Sequence, residues 1–151
     1  MSGKQRIAAG AIIIQENKIL LVRYNDPHGQ SFLVGPSGGV DDDESIIQAV
    51  VREVKEETGL EVNPGKVLFI EDLDSRRYRF VKIWFLCEPI GGQLVKTQGA
   101  IDEGIIEAGW YRKEELKVEI VYPPILMNID WQKFSEDNWE AKYLDLKYAD
   151  F

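Results

Sequence analysis

Three glutamates near the middle of the chain have the spacing that brings carboxylates together on a helix. Glu53, Glu56 and Glu57 stand at positions i, i+3 and i+4, so their side chains share one strip of the helix surface. Like charges at this spacing cost roughly 0.2–0.5 kcal/mol per pair, and the last helical turn also disfavours anions. Converging oxygen ligands suit Mg2+ or Mn2+. The spacing therefore indicates a divalent metal site, although a solvated acidic face gives the same pattern.

The segment that carries these glutamates has signals for both ends of a helix. Four acidic residues at 41–44 favour a helix start, because side-chain oxygens cap free amides and the positive dipole end attracts anions. Gly59 followed by Leu60 is typical of a helix end. An apolar stripe at helical spacing lies between them, formed by Ile47, Val50, Val51 and Val54. The pattern predicts a helix from about Glu44 to Thr58.

Nine positions of this region form one longer pattern, G-x5-E-x7-R-E-U-x-E-E-x-G-U, in which U is a bulky aliphatic residue. The chain matches it at every fixed position, with Gly38, Glu44, Arg52, Glu53, Val54, Glu56, Glu57, Gly59 and Leu60. This stretch resembles the box of the Nudix hydrolases. Asp43 stands where many members have glycine, at a variable position. The resemblance implies an α/β fold, an α/β/α sandwich with a mixed central sheet, in a single domain spanning 1–151.

The resemblance also implies a reaction, namely hydrolysis of a diphosphate linkage in a nucleoside diphosphate derivative. Nucleotide sugars, dinucleoside polyphosphates and nucleoside triphosphates are the substrate classes left open. Glu53, Glu56 and Glu57 would hold Mg2+ or Mn2+, and a backbone carbonyl near Gly38 would complete the metal shell. Arg52 would orient Glu53 through a charge-assisted hydrogen bond.

A further carboxylate is expected downstream, because many Nudix enzymes supply one shortly before a strand and an E-E-L turn. Residues 105–111, followed by Glu114-Glu115-Leu116, resemble that arrangement. Glu103 is therefore a candidate ligand or general base, with Asp102 and Glu107 as alternatives.

Positive charge concentrates at one point beyond the box. Arg76, Arg77 and Arg79 could hold substrate phosphates by charge-assisted hydrogen bonds, although exposed arginines beside a strand are common. Tyr78 lies 18 residues after Leu60, near where diadenosine polyphosphate hydrolases often carry a tyrosine. The only histidine, His28, stands in a loop and is expected to be solvated.

Composition limits the partners. The formal net charge of −8 argues against binding to long nucleic acids, which attract clustered Lys and Arg. No apolar run reaches the ~20 residues of a membrane span, and the start is too polar for a secretory signal. We therefore expect a soluble, cytoplasmic protein, and the small nucleotide substrate that the resemblance implies is compatible with this charge. The one cysteine, Cys87, is expected to be a buried thiol in a strand.

The remaining elements alternate strands with a second helix. An apolar hairpin is predicted first, then a short strand, a second hairpin after the box and a helix that begins at Pro123-Pro124. The predicted strands cover residues 8–14, 19–24, 32–34, 66–72 and 78–87. The tail, residues 139–151, is expected to add a strand, a homodimer contact or a wall of the cleft.

Two other functions share the expected fold. A nucleotide sensor without activity would usually carry a damaged box, whereas this box is complete. An isomerase of isoprenoid diphosphates would need a cysteine in the cleft, whereas Cys87 lies in an apolar run.

Overall fold

A computed structural model describes residues 4–75 and 78–149 of the chain. Its strands are β1 (Lys4–Gln15), β2 (Lys18–Asn25), β3 (Ser31–Val34), β4 (Ser37–Gly39), β5 (Leu60–Ser75), β6 (Tyr78–Gly92), β7 (Glu107–Arg112), β8 (Val121–Tyr122) and β9 (Lys142–Ala149). Helix α1 (Ile46–Thr58) follows β4, and the short helix α2 (Gln98–Glu103) follows β6. Three short 3-10 helices span Lys113–Val118, Pro124–Met127 and Trp131–Ser135.

The strands of the described residues form one mixed, curled sheet with β1 at its centre. Their order is β8-β3-β2-β1-β6-β5-β9, with β4 paired to β1 and β7 paired to β2. The first part of β1 runs parallel to β6 and antiparallel to β4, whereas its last residues pair with β2. The apolar run of β1 is buried, as expected for a covered central strand. The predicted α/β fold with a mixed sheet is confirmed.

The sheet is covered on both faces by different elements. Helix α1 packs Val50 and Val54 against Ile13 and Phe85 on one face. The opposite face packs Trp84 and its neighbours against the C-terminal 3-10 helices, where Phe134 meets Phe69 edge to face at 5.6 Å. Since side chains alternate along a strand, residues of even number from Tyr78 to Trp84 on β6 share the face opposite α1.

Helix α1 begins two residues later than predicted. Its N-cap is Ser45, whose hydroxyl accepts a hydrogen bond from the Gln48 amide at 3.1 Å, while the Gln48 side chain accepts one from the Ser45 amide at 2.8 Å. This reciprocal pair is a capping box. Glu44 does not enter the helix, because its carboxylate is bound by Arg52. The predicted end is confirmed, with Gly59 in the left-handed region at φ 85°.

The predicted second helix is wrong. The segment after Pro123 forms two separate 3-10 helices, because the side chain of Asp130 accepts a hydrogen bond from the Gln132 amide at 3.0 Å and begins a new helix there. Trp131 donates to the Leu126 carbonyl at 2.8 Å and joins the two pieces. The tail provides β9, which lies parallel to β5 at the edge of the sheet. No helix of the described segments has the length and apolarity needed to cross a membrane.

Candidate metal and substrate site

Strand β4 and helix α1 meet at a close contact between backbone and carboxylate. β4 is held against β1 in the register Ala9–Gly38. A Cβ atom at Gly38 would collide with the carboxylate of Glu53, so only glycine fits here without displacing that side chain. The short strand therefore presents its backbone directly to the acidic face of α1.

Three carboxylates converge beside this contact. One oxygen from each of Glu53, Glu57 and Glu103 lies within 4.8 Å of the others. Glu53 accepts a hydrogen bond from Arg52 at 2.8 Å, and Glu57 accepts one from the Ser37 amide at 3.3 Å. The second oxygen, Oε2, of both Glu53 and Glu57 is buried and has no hydrogen-bond partner. Leaving such atoms unpaired costs about 1–3 kcal/mol each, and more for a charged group.

The electrostatics of the cluster favour a bound cation. Burial, followed by the charge of Glu103, raises the pKa of Glu53. Burial and the neighbouring Glu103 and Glu53 raise the pKa of Glu57 far above its ordinary value. A divalent cation would neutralise the repelling carboxylates and would accept the two unpartnered oxygens as ligands. It would therefore remove the cost of the buried charge and the cost of the unpaired oxygens. The residues present therefore fit an Mg2+ or Mn2+ ion.

Arg52 organises the side chains around the cluster. Its guanidinium donates to Glu44 at 2.5 Å, to the Gly39 carbonyl at 3.0 Å and to Glu53 at 2.8 Å. It also donates to Glu56 at 3.2 Å, and the Glu56 side chain is 43% exposed. Arg52 holds the pKa of Glu44 at about 2. The geometry places Arg52 beside Glu53 as predicted, whereas Glu56 turns toward Arg52 and lies outside the three-carboxylate cluster.

Helix α2 brings Glu103 to the site because it is docked on the end of α1. The Thr97 hydroxyl, which caps α2, donates to the Glu56 carbonyl, and Gly99 packs against the backbone of Glu56. Gly104 ends the helix at φ 83°. The Tyr24 hydroxyl lies 3.4 Å from a carboxylate oxygen of Glu103, and burial with the nearby carboxylates raises the pKa of Tyr24.

The alternatives to Glu103 lie elsewhere. Asp102 accepts a hydrogen bond from Gln98 on the same helix at 2.9 Å. Glu107 is paired with Arg23 at 3.1 Å and accepts a hydrogen bond from Tyr111 at 3.1 Å. Among the three acidic residues that the sequence left open, the structure brings Glu103 to the cluster.

The predicted substrate residues are scattered. Arg76 and Arg77 lie outside the described residues. Arg79 forms an ion pair with Asp72 and points to the face of β6 that α1 covers. Tyr78 lies on the other face, where the Arg6 guanidinium stands 5.1 Å from its ring centre. His28 is exposed in its loop, as expected.

Two polar residues near the cluster were missed from the sequence. Lys82 lies on the face of β6 opposite α1 and donates to the Ser37 hydroxyl at 3.3 Å. Tyr24 reaches Glu103 from β2. A signal for Lys82 existed, because it stands between Phe80 and Trp84 on the inward face of an apolar strand. Tyr24 gave no such signal, since an aromatic residue in a strand is ordinary.

Cys87 is a poor candidate for chemistry. Its thiol is buried on the α1 side of β6, and burial raises its pKa to about 12. The thiolate form needed for nucleophilic or acid–base work is therefore disfavoured.

Known proteins resemble this chain in sequence and in fold. An 8-oxo-dGDP phosphatase from Danio rerio is 34% identical over 110 residues, which cover 71% of this chain and 32% of that protein. An ADP-ribose pyrophosphatase from Methanocaldococcus jannaschii is 40% identical over 91 residues, covering 58% of this chain and 53% of that protein. The chain thus spans about a third to a half of the length of these curated relatives.

Solved structures show the same architecture. An ADP-ribose pyrophosphatase from Streptococcus suis superposes with a TM-score of 0.68 at 26% identity, covering 93% of this chain and 99% of that one. A NUDIX hydrolase from Nitrosomonas europaea gives a TM-score of 0.70 at 27% identity, covering 83% and 85%. The family model described as NUDIX domain matches residues 4–129. The chain therefore belongs to the Nudix hydrolase family.

Proposed function

We propose that this protein is a metal-dependent pyrophosphohydrolase that cleaves the diphosphate linkage of a nucleoside diphosphate derivative. The observation that carries the proposal is the cluster of Glu53, Glu57 and Glu103, in which two buried carboxylate oxygens have no partner among the described residues. Buried carboxylates with raised pKa values are concentrated at functional sites, and a cation held by them would polarise a phosphoryl oxygen.

Each residue of the cluster has a proposed role. Glu53 and Glu57 would hold Mg2+ or Mn2+ through their unpartnered oxygens, with the carbonyl of Gly38 and the carboxylate of Glu56 as further predicted ligands. A bound cation supplies charge neutralisation at the phosphoryl oxygens and lowers the pKa of a water molecule. Arg52 keeps Glu53 in position through the hydrogen bond at 2.8 Å.

Glu103 is proposed as the general base, because it is the exposed member of the cluster and can exchange protons with solvent. In the proposed step the oxygen of a water molecule bonds to one phosphorus atom and Glu103 takes a proton of that water. The bridging P–O bond of the diphosphate breaks, and its electron pair leaves with the oxygen of the departing phosphate group. The Tyr24 hydroxyl, 3.4 Å from a carboxylate oxygen of Glu103, would help to orient that carboxylate.

The relatives suggest which compounds to test first. An 8-oxo-dGDP phosphatase and ADP-ribose pyrophosphatases are among the similar proteins, so 8-oxo-dGDP and ADP-ribose stand beside nucleotide sugars, dinucleoside polyphosphates and nucleoside triphosphates as candidate substrates. The single-domain boundary, the cytoplasmic location and the homodimer contact stay predictions.

The decisive experiment is a substrate screen with Mg2+ and with Mn2+ that identifies the products, run on the wild type and on Glu57→Gln. We expect at least one compound to be hydrolysed by the wild type and chelation to stop turnover. Equal turnover by Glu57→Gln, or full turnover after exhaustive chelation, would contradict the proposal. Tight nucleotide binding without any hydrolysis would favour the sensor instead.

A further inference from the structure

Two cations bracket strand β4 on the face of the sheet opposite α1. Lys82 and Arg6 project to the same face, because Ala8 pairs with Lys82 and Arg6 pairs with Phe80 in the parallel register of β1 and β6. Lys82 donates to the hydroxyl of Ser37 at 3.3 Å, at the start of β4. The Arg6 guanidinium packs against Gly39 at its end, where a Cβ atom would clash with it.

Neither cation has an acidic partner within the described part of the chain, in contrast to Arg23, Arg52 and Arg79, which all form ion pairs. Both rest on aromatic rings instead. The Lys82 ammonium lies 5.2 Å from the ring centre of Trp84, and the Arg6 guanidinium lies 5.1 Å from that of Tyr78. In a chain of formal net charge −8, such positive groups are available to an anionic ligand.

Trp84 fixes the position of the Lys82 amine. Its indole N–H donates to the buried carboxylate of Glu71 at 2.7 Å, and its ring fills space that a side chain at Gly10 or Gly35 would occupy. Glu71 is the cross-strand neighbour of Lys82, yet its hydrogen bond goes to Trp84. Lys82 therefore keeps N–H donors that Ser37 does not use.

The two cations and the carboxylate cluster share β4 as a common border. Ser37 accepts from Lys82 through its hydroxyl and donates to Glu57 through its amide, each at 3.3 Å. Gly38 contacts Glu53. An anion seated at β4 would thus face ammonium and guanidinium donors on one side and the proposed metal site on the other.

We propose that Lys82 and Arg6 bind the two phosphoryl groups of the substrate's diphosphate and hold the scissile linkage against the carboxylate cluster. This inference rests on the proposed function and adds the residues that position its substrate. Lysine offers phosphate a compact charge, and arginine offers a planar pair of donors. Two cations at the two ends of one short strand, on the same face of the sheet, match two adjacent phosphoryl groups.

The test is calorimetric binding of imidodiphosphate, an analogue with a non-hydrolysable bridge, in the presence of Mg2+. We expect Lys82→Met and Arg6→Gln each to weaken binding about 10-fold or more, as loss of a charge-assisted hydrogen bond does. On the hydrolysed substrate, both variants should raise KM more than they lower kcat. Lys117→Met is the control, because Lys117 is exposed and its loss changes the net charge equally.

Circular dichroism and thermal unfolding check that the variants fold. Methionine keeps an apolar stem like that of Lys82, so Lys82→Met should fold. Arg6→Gln changes a residue on a different strand, so it still tests the inference if Lys82→Met does not fold. The inference is overturned if imidodiphosphate does not bind the wild type, or if both variants bind it as tightly as Lys117→Met does. If the anion site is overturned in this way and Glu57→Gln is nevertheless inactive, the proposed hydrolase function stands without the anion site. If Glu57→Gln is fully active, the proposed function fails while the calorimetry still decides the anion site.

Discussion

The backbone of Gly38 lies against the carboxylate of Glu53 so closely that no side chain fits between them. This contact joins the short strand β4 to helix α1, and the Oε2 atom of Glu53 is buried there without a hydrogen-bond partner. Gly38 is needed here for space and not for an unusual backbone angle, because its φ is not positive.

We expect Gly38→Ala to lower activity and metal affinity about 10- to 100-fold, the usual cost of disturbing a group that orients a metal ligand. The new methyl group would push the Glu53 carboxylate out of place. Binding of Mn2+ measured by calorimetry, together with kcat/KM, checks this. Gly109→Ala is the matched control, since a Cβ atom there meets its nearest neighbour at an ordinary 3.5 Å. Unchanged Mn2+ binding in Gly38→Ala would contradict the expected displacement.

Much of this site could be predicted from local sequence. Helix α1, its end at Gly59 and the shared strip of glutamates follow from periodicity and capping, which act over a few residues. The start was misplaced because Glu44 pairs with Arg52 across two turns, which leaves Ser45 as the cap. Local signals do not distinguish a Glu44 that enters the first turn of the helix from a Glu44 that pairs with Arg52.

Contacts between distant segments were harder to predict. Lys82 reaches Ser37 across 45 positions, and Tyr24 reaches Glu103 across 79. Neither pair has a periodic signal, because the contacts depend on the sheet order and on how α2 docks on α1. The second helix was mispredicted for a local reason, since Asp130 starts a new 3-10 helix within an otherwise apolar pattern.

The two adjacent glutamates at the end of α1 should differ in importance. Glu57 is buried with an unpartnered oxygen, whereas the Glu56 side chain is 43% exposed and bound to Arg52. We expect Glu57→Gln to lower kcat at least ~10^2-fold and Glu56→Gln to have a smaller effect. Glutamine keeps size and helix propensity in both cases, so the pair is matched. Equal losses would show that Glu56 also enters the metal site during turnover, as the sequence pattern predicts.

The metal-free protein should lose stability as the pH rises. Burial and neighbouring carboxylates raise the pKa values of Glu53 and Glu57 in the folded state. The folded protein therefore binds more protons than the unfolded chain once the pH exceeds the ordinary value of 4.5, and the free energy of unfolding falls with pH. The stabilising contribution is complete below that value and is lost as the pH rises toward the raised pKa values.

Thermal unfolding in a chelator between about pH 5 and pH 8 tests this sign. Glu57→Gln should melt at a higher temperature than the wild type at the upper end and show a shallower decline, because one of the titrating groups is gone. Added Mn2+ should stabilise the wild type more at high pH, since the ligands must be deprotonated to bind it. A decline that is identical in wild type and variant would contradict the assignment of the slope to Glu57.

Glu103 and its neighbour Asp102 should differ in their importance for catalysis. Glu103 belongs to the cluster, whereas Asp102 accepts a hydrogen bond from Gln98 on the same helix. We expect Glu103→Gln to lower kcat by ~10^2- to 10^4-fold, the range for a positioned general base, and Asp102→Asn to leave kcat unchanged. Tyr24→Phe should lower kcat only ~2- to 10-fold, because it removes one hydrogen bond to Glu103.

Measuring Mn2+ affinity beside kcat distinguishes a base from a metal ligand. If Glu103 takes the proton, Glu103→Gln lowers kcat while Mn2+ affinity changes little. If Glu103 is instead a ligand, Mn2+ binding weakens and kcat recovers at saturating metal. Tyr24→Phe should give an intermediate effect, because it leaves the Glu103 carboxylate in place and removes only one hydrogen bond to it. The new phenyl ring keeps the stacking on Phe32, whose ring centre lies 5.6 Å from that of Tyr24. A normal kcat in Glu103→Gln would remove Glu103 from the mechanism.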